Sequence, residues 1–202
     1  EKYQNINSKI IHSGQHYDTN MSADIFTSLN VKHPDYILKR KGNTLIENLT
    51  NMMIGIENIV LKENPNIIMV FGDCDTTTAG ALVANKNNIF LIHIEAGMRS
   101  YNKKMPEEIN RLITDNISDL LLCSTQDSLD KLKHENIKTN AYFVGNLQID
   151  LLNLVNKNSY QSSEVVIYKT LIADNKQTIS TLNELGYNLN KKFIFNLNDL
   201  GS

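Results

Sequence analysis

The 202-residue sequence has only two cysteines, no strong charge of either sign and no long apolar run. Cys74 and Cys123 lie far apart and match no metal-binding spacing, which argues against a disulfide framework and a zinc site. A reduced, cytoplasmic chain is expected. A formal charge of −2 gives no basic field, so nucleic acid and anionic membranes are not expected partners. No apolar stretch approaches the roughly 20 residues of a membrane span. The opening EKYQNINSKI also lacks the charged-then-apolar order of a signal peptide.

What is present fits a soluble domain: 41% of residues are hydrophobic and 21% charged, enough for a buried core under an ordinary surface. Short apolar runs read as buried strands: KIIHS (9–13), IIMVF (67–71), FLIHI (90–94), LLLCS (120–124) and AYFVG (141–145). Between them lie amphipathic stretches, clearest in TLIENLTNMMIGIENIVLKEN (44–64). There Leu45, Leu49, Met52, Met53, Ile56, Ile59 and Val60 share one helical face. Thr44 and Glu47 have the T-x-x-E spacing of a capping box. Continuous apolar strands alternating with helices predict an α/β fold, a Rossmann-like doubly wound parallel sheet covered on both faces and joined by right-handed crossovers. This domain is assigned to residues 1–155.

After it the pattern changes. NKNSYQSSEV (156–165) is polar and reads as the start of a linker with helices, assigned to 156–190. KKFIF (191–195) looks like the opening strand of an incomplete second domain over 191–202. A doubly wound domain normally has a strand before EKYQN, so the first strand is expected to be missing and the chain to be a piece of something larger.

In open α/β sheets ligands bind beyond the carboxyl ends of the strands, near a reversal of strand order. Three such ends here lead into HSGQHYD (12–18), GDCDTTTAGAL (72–82) and HIEAGMRS (93–100). In the second, backbone N–H groups at a hydroxyl-rich helix start could face an anion, although Asp75 or a threonine as a simple N-cap explains the same spacing. Asp73 and Glu95 stand at neighbouring strand ends, where two carboxylates repel and one proton is held more tightly, a pattern suited to acid/base work. Either carboxylate could instead serve as an acceptor for loop N–H groups. MPEEINRLITD opens a helix, with Pro106 at its first position and Glu107 and Glu108 in the dipole-favoured first turn. Ile109, Leu112, Ile113 and Ile117 give that helix an apolar stripe. Glu107 and Arg111 are four apart and are expected to pair, and Glu108 reads as a surface residue.

Together, GQHYD, GDCDTTTAGAL, HIEAGMRS, MPEEINRLITDNISDLL and VGNLQIDLL resemble the N-terminal half of the non-hydrolysing UDP-N-acetylglucosamine 2-epimerases across most of residues 10–155. The resemblance implies half of a two-domain glycosyltransferase-B-type fold with the nucleotide sugar between the domains. It also implies a UDP-sugar substrate, no cofactor or metal, and a homodimer. The implied reaction interconverts UDP-GlcNAc and UDP-ManNAc by loss of the sugar C2 proton, elimination of UDP to a glycal and re-addition of UDP. By match to the family's motifs, Asp73, Glu95 and Glu107 are the catalytic carboxylates, Arg111 orients Glu107 or the ligand, and Gln15 and His16 contact substrate or a regulatory nucleotide sugar. Tyr17 and Asp18 depart from the pattern of regulated members, and Asn198 stands where the second domain's catalytic histidine is expected. The chain by itself is therefore not expected to be competent. Three alternatives remain open: a non-catalytic nucleotide-sugar-binding relative, an epimerase of a modified UDP-sugar such as a diacetamido-glucuronate, and, by fold analogy alone, a glycosyltransferase half.

Overall fold

The computed structural model describes residues 7–13, 33–39, 41–137, 140–146 and 192–196. In chain order these form β1 (Asn7–His12), β2 (Tyr36–Ile37), α1 (Leu45–Glu63), β3 (Ile67–Phe71), α2 (Asp75–Lys86), β4 (Phe90–Ile94), α3 (Pro106–Ile117), β5 (Leu120–Cys123), α4 (Gln126–His134), β6 (Asn140–Phe143) and β7 (Lys192–Asn196). The strands make one seven-stranded sheet in the order β2-β1-β7-β3-β4-β5-β6. Every described pairing is parallel. The chain winds one way from β1 to β2 and the other way from β3 to β6, so the reversal lies between β1 and β3. Residues 192–196, expected to open a second unit, occupy that place as β7, with Phe193 opposite both Ser8 and Ile67.

The expected parallel sheet follows from its side chains. Ile67, Ile68, Met69 and Val70 are all buried, as are Leu91, Ile92 and Ile94, so both faces of the central strands are covered. One face, through Ile68, Val70 and Leu91, packs on Met52, Ile56, Ile59 and Val60 of α1 and on Ala79, Ala81, Val83 and Ala84 of α2. Farther along that face Leu121 and Cys123 meet Leu132 of α4. The opposite face gathers Ile67, Met69, Ile92, Ile94, Leu120 and Leu122.

α1 begins as its capping box requires: Thr44 Oγ1 accepts from Glu47 N at 3.1 Å, and Glu47 Oε2 accepts from Thr44 N at 3.2 Å. It stops at Asn64, which adopts the left-handed region at φ 45° and returns its N–H to the Val60 carbonyl, with Pro65 next. One residue of the expected buried face departs. Leu45 is 71% exposed and lines an open cleft instead of the core.

α3 departs further. Its buried residues are Glu108, Asn110, Thr114 and Asp115, while Ile109 is 38% exposed. The apolar stripe is thus not the face turned most fully inward. The reason is positional: α3 crosses the turns that follow β3 and β4, and the unpaired backbone and side-chain groups there need polar partners. The linker assigned to 156–190 lies outside the described residues.

Candidate active site

Two turns at the carboxyl ends of β3 and β4 build the site, and α3 ties them together. Gly72 leaves β3 at φ +63°, a left-handed conformation open to glycine, and its N–H donates to the Ile94 carbonyl at 3.1 Å. Asp73 follows, half-buried. The helix cap here is Cys74, without a side-chain capping bond, which corrects the reading of Asp75 or a threonine as N-cap. Asp75 is committed elsewhere: its Oδ1 accepts from Asn110 Nδ2 at 3.1 Å. The threonines also turn inward. Thr76 donates to Ser13 Oγ at 2.7 Å, Thr77 to the Phe71 carbonyl and Thr78 to Asn110 Oδ1 at 2.8 Å. Those hydroxyls brace the turn against β1, β3 and α3.

Arg111 reaches from α3 to Asp73 Oδ2, and its other terminal nitrogen lies 3.2 Å from Glu108 Oε2. This corrects the expected Glu107–Arg111 pair. One turn of helix separates Glu107 from Arg111, but Asp73 lies across the interface where α3 meets the β3 turn and Glu108 lies three residues back on α3 itself, and the guanidinium takes both. Asn110 adds a second link, donating to the Asp73 carbonyl oxygen at 2.9 Å. Asp73 is therefore held through its side chain and its backbone.

Glu95 occupies the second turn. It sits at φ +71°, unusual for a residue with a side chain, and its N–H donates to the Leu122 carbonyl at 3.0 Å. Such backbone is maintained only where the surroundings enforce it, and it recurs at functional sites. Gly97, two residues on, has φ +79°, and a Cβ there would collide with the carbonyl oxygen of Ser128 on α4.

Glu107 and Glu108 part company at the start of α3. Glu107 is exposed, at the strand-end side of the sheet. Glu108 is 1% exposed, which corrects its reading as a surface residue. It accepts from Ser100 N at 2.8 Å, Ser100 Oγ at 3.0 Å, Tyr101 N at 3.0 Å and Arg111. Burial opposes its charge, but these donors outweigh burial and hold the carboxyl below the usual glutamate range. The bonds also fix Tyr101 in left-handed backbone at φ +58°.

Behind Glu95 an ionic chain that no spacing in the sequence signals runs from the buried His93 to the surface at Glu135. His93 meets Asp115, and Asp115 also accepts from Gly97 N and Arg99. Arg99 makes a two-pronged contact with Glu135 at 2.8 and 2.7 Å. Burial opposes ionisation of Asp115, yet the charges and hydrogen bonds of His93 and Arg99 prevail and lower its pKa. Burial likewise works against the Arg99 cation, and Glu135 and Asp115 more than offset it. Histidine in HIEAG and aspartate in LITD were visible as residues. Their meeting across 22 positions was not, because neither spacing nor periodicity encodes it.

An open cleft adjoins these turns near the ends of β1 and β3, lined by Ser13, Lys39, Lys41, Asn48, Asn51 and Asp75. Its two lysines suit an anionic ligand. Cys123 contributes no nucleophile, since burial pushes its thiol up to about 12. Gln15, His16 and Asn198 lie outside the described residues.

The model of the family described as UDP-N-acetylglucosamine 2-epimerase matches residues 1–182. A UDP-2,3-diacetamido-2,3-dideoxy-D-glucuronate 2-epimerase of Pseudomonas aeruginosa is 44% identical over 144 residues, 71% of this chain and 41% of that protein. A UDP-N-acetylglucosamine 2-epimerase of Methanocaldococcus jannaschii is 39% identical over 196 residues, 96% of this chain and 53% of that protein. A crystal structure of Methanocaldococcus jannaschii UDP-GlcNAc 2-epimerase, in complex with UDP-GlcNAc and UDP, superposes with a TM-score of 0.67 at 34% identity, over 76% of this chain and 51% of that one. The chain spans about half the length of the relatives it matches.

Proposed function

The chain belongs to the UDP-N-acetylglucosamine 2-epimerase family, and from that membership we propose that the whole protein interconverts UDP-GlcNAc and UDP-ManNAc. The observation that carries the reading is the joining of the Asp73 turn to the first turns of α3 through Arg111 and Asn110, next to the strained turn of Glu95. The three carboxylates assigned by the motif match, Asp73, Glu95 and Glu107, follow β3, follow β4 and open α3, and ligands in this architecture bind at that end of a sheet.

In the proposed reaction a carboxylate takes the proton from the sugar C2. The C–H electron pair becomes the C1=C2 bond, and the bond from C1 to the diphosphate oxygen breaks, releasing UDP as an anion. Re-addition of UDP at C1, with protonation of C2 from its other face, completes the epimerisation. Asp73, Glu95 and Glu107 are the groups assigned to these transfers. Positioned acid/base groups contribute about 10²–10⁴-fold each. Arg111, already paired with Asp73, sets that carboxylate's direction, and Lys39 and Lys41 give the adjoining cleft the sign that a diphosphate needs. Gln15 and His16 are retained as substrate-side residues on the motif match alone. Two copies are proposed to associate through α1, where Ile46, Ile54 and Leu61 are 71, 51 and 68% exposed within about a quarter turn of one another.

A second substrate reading has its own support, the 44% identity to a protein named for a diacetamido-glucuronate. Incubating the whole protein in D2O with each nucleotide sugar separates the two. The expected result is deuterium at C2 and the 2-epimer from UDP-GlcNAc. Exchange with the uronate alone would move the assignment to the modified sugar, and exchange with neither would overturn the epimerase reading.

A further inference from the structure

His93 is completely buried on β4, and both of its ring nitrogens face acceptors. Nε2 lies 2.8 Å from the Gly72 carbonyl oxygen, and Nδ1 lies 2.7 Å from Asp115 Oδ1. A carbonyl oxygen has no proton to give, so Nε2 must carry one. The other oxygen of Asp115 accepts from Arg99 Nη1 at 2.6 Å and from Gly97 N at 3.1 Å. A carboxylate beside a guanidinium and a backbone donor is ionised. Nδ1 must then donate as well. A neutral ring would instead set a nitrogen lone pair against an oxygen lone pair at hydrogen-bonding distance in a dry site.

The charges close on this basis. His93 and Arg99 supply two positive charges, Asp115 and Glu135 two negative ones, and each ion touches one of opposite sign. The buried members, His93, Asp115 and Arg99, are tolerable only because each is paired, and exposed Glu135 ends the chain at the surface. Around the set, β5 presents Cys123, whose thiol burial keeps protonated, and α4 with its C-cap presents Lys133 and Glu135. Among these described neighbours none is placed to receive the second ring proton in place of Asp115.

We infer that His93 is a standing imidazolium that clamps together the two turns carrying Asp73 and Glu95, and is thus a positioning residue. On one side it holds the carbonyl of the Gly72–Asp73 peptide. Because a trans peptide points its C=O and N–H in opposite directions, the Asp73 N–H is turned away from the ring. Glycine at φ +63° could otherwise let that peptide rotate. On the other side, through Asp115, it holds Gly97 N and so closes the turn that begins at Glu95.

The ring state can be read by nitrogen-15 NMR on the chain with labelled histidine, independently of any activity. The sequence has five histidines, and the His93 signals are those absent from His93→Gln or altered in Asp115→Asn. Because both ring nitrogens face acceptors, both should show imidazolium-type shifts at neutral pH. Asp115→Asn should convert the ring to the neutral tautomer protonated at Nε2. One pyridine-type nitrogen on His93 in the unaltered chain at neutral pH would overturn the inference. So would unchanged amide shifts at Asp73, Glu95 and Gly97 in His93→Gln. If that variant does not fold, the ring spectra of the unaltered chain and of Asp115→Asn decide. The effect on turnover rests on the epimerase reading: in the whole protein His93→Gln should lower kcat about 10²-fold with little change in KM, as misplacement of reacting groups does. A whole protein that never epimerises would sink that reading and leave the ring spectra to judge the clamp.

Discussion

Adjacent on the first turn of α3, Glu107 reaches solvent while Glu108 gathers Ser100, Tyr101 and Arg111 in the interior. Their amides should therefore fail differently. Glu107→Gln keeps shape and removes a base, so C2 deuterium exchange by the whole protein should fall on the order of 10²-fold or more with the melting temperature unchanged. Glu108→Gln should lower stability by about 2 kcal/mol, since hydrogen bonds to a charged acceptor are lost inside the protein, and thermal melts measure it. The same carboxylate gives a pH signature. Its folded pKa is depressed, so its contribution is complete above the ordinary glutamate range and disappears as pH falls through the lower folded value. Asp115 acts in the same direction. Melts of the unaltered chain and Glu108→Gln should differ at neutral pH and converge below about pH 4. A gap that persisted into strong acid would show that the carboxylate charge is not the cause.

At the scale of elements, the helices are fixed by their ends and by close approach. Thr44→Ala removes one half of the α1 capping box, and about 1 kcal/mol of stability should go with it in denaturant titration. The turn after β4 is less forgiving. Gly97 combines a left-handed backbone with the Ser128 carbonyl where a Cβ would stand. Gly97→Ala must move α4 or unwind the turn, at a cost of about 1–3 kcal/mol. Because that turn also donates Gly97 N to Asp115, the variant should change the amide shifts of Glu95 and Arg99 even where it remains folded. A melting temperature within a degree of the unaltered chain would mean that the turn relaxes freely.

For the whole molecule, the proposed contact between copies uses the exposed Ile46, Ile54 and Leu61 on α1. If two copies meet there, Ile54→Lys should shift sedimentation toward the monomer while the far-UV spectrum stays the same. An unchanged association state would place the contact on another face. Among the described residues no helix is long and apolar enough to cross a membrane.

The sequence by itself determined the parallel sheet, the places of β1, β3, β4, β5 and β6 and the start of α1, but not β2 or the place of β7 inside the sheet. Strands buried on both faces need unbroken apolar runs such as IIMVF and LLLC, and a capping box is a contact between residues three apart. It also placed Asp73, Glu95, Glu107 and Arg111 at strand ends and on one helix start. Only the tertiary structure decided which way α3 faces. Hydrophobic periodicity would turn Ile109, Leu112 and Ile113 inward, but the N–H groups of Ser100, Tyr101 and Gly97 and the anion at Asp73 had to be met, so Glu108, Asn110, Arg111 and Asp115 point there instead. Contacts such as His93 to Asp115 and Arg111 to Asp73 bridge 22 and 38 residues. No local propensity records them: they exist because β3, β4 and α3 meet at one end of a twisted sheet, where groups left without water must find each other.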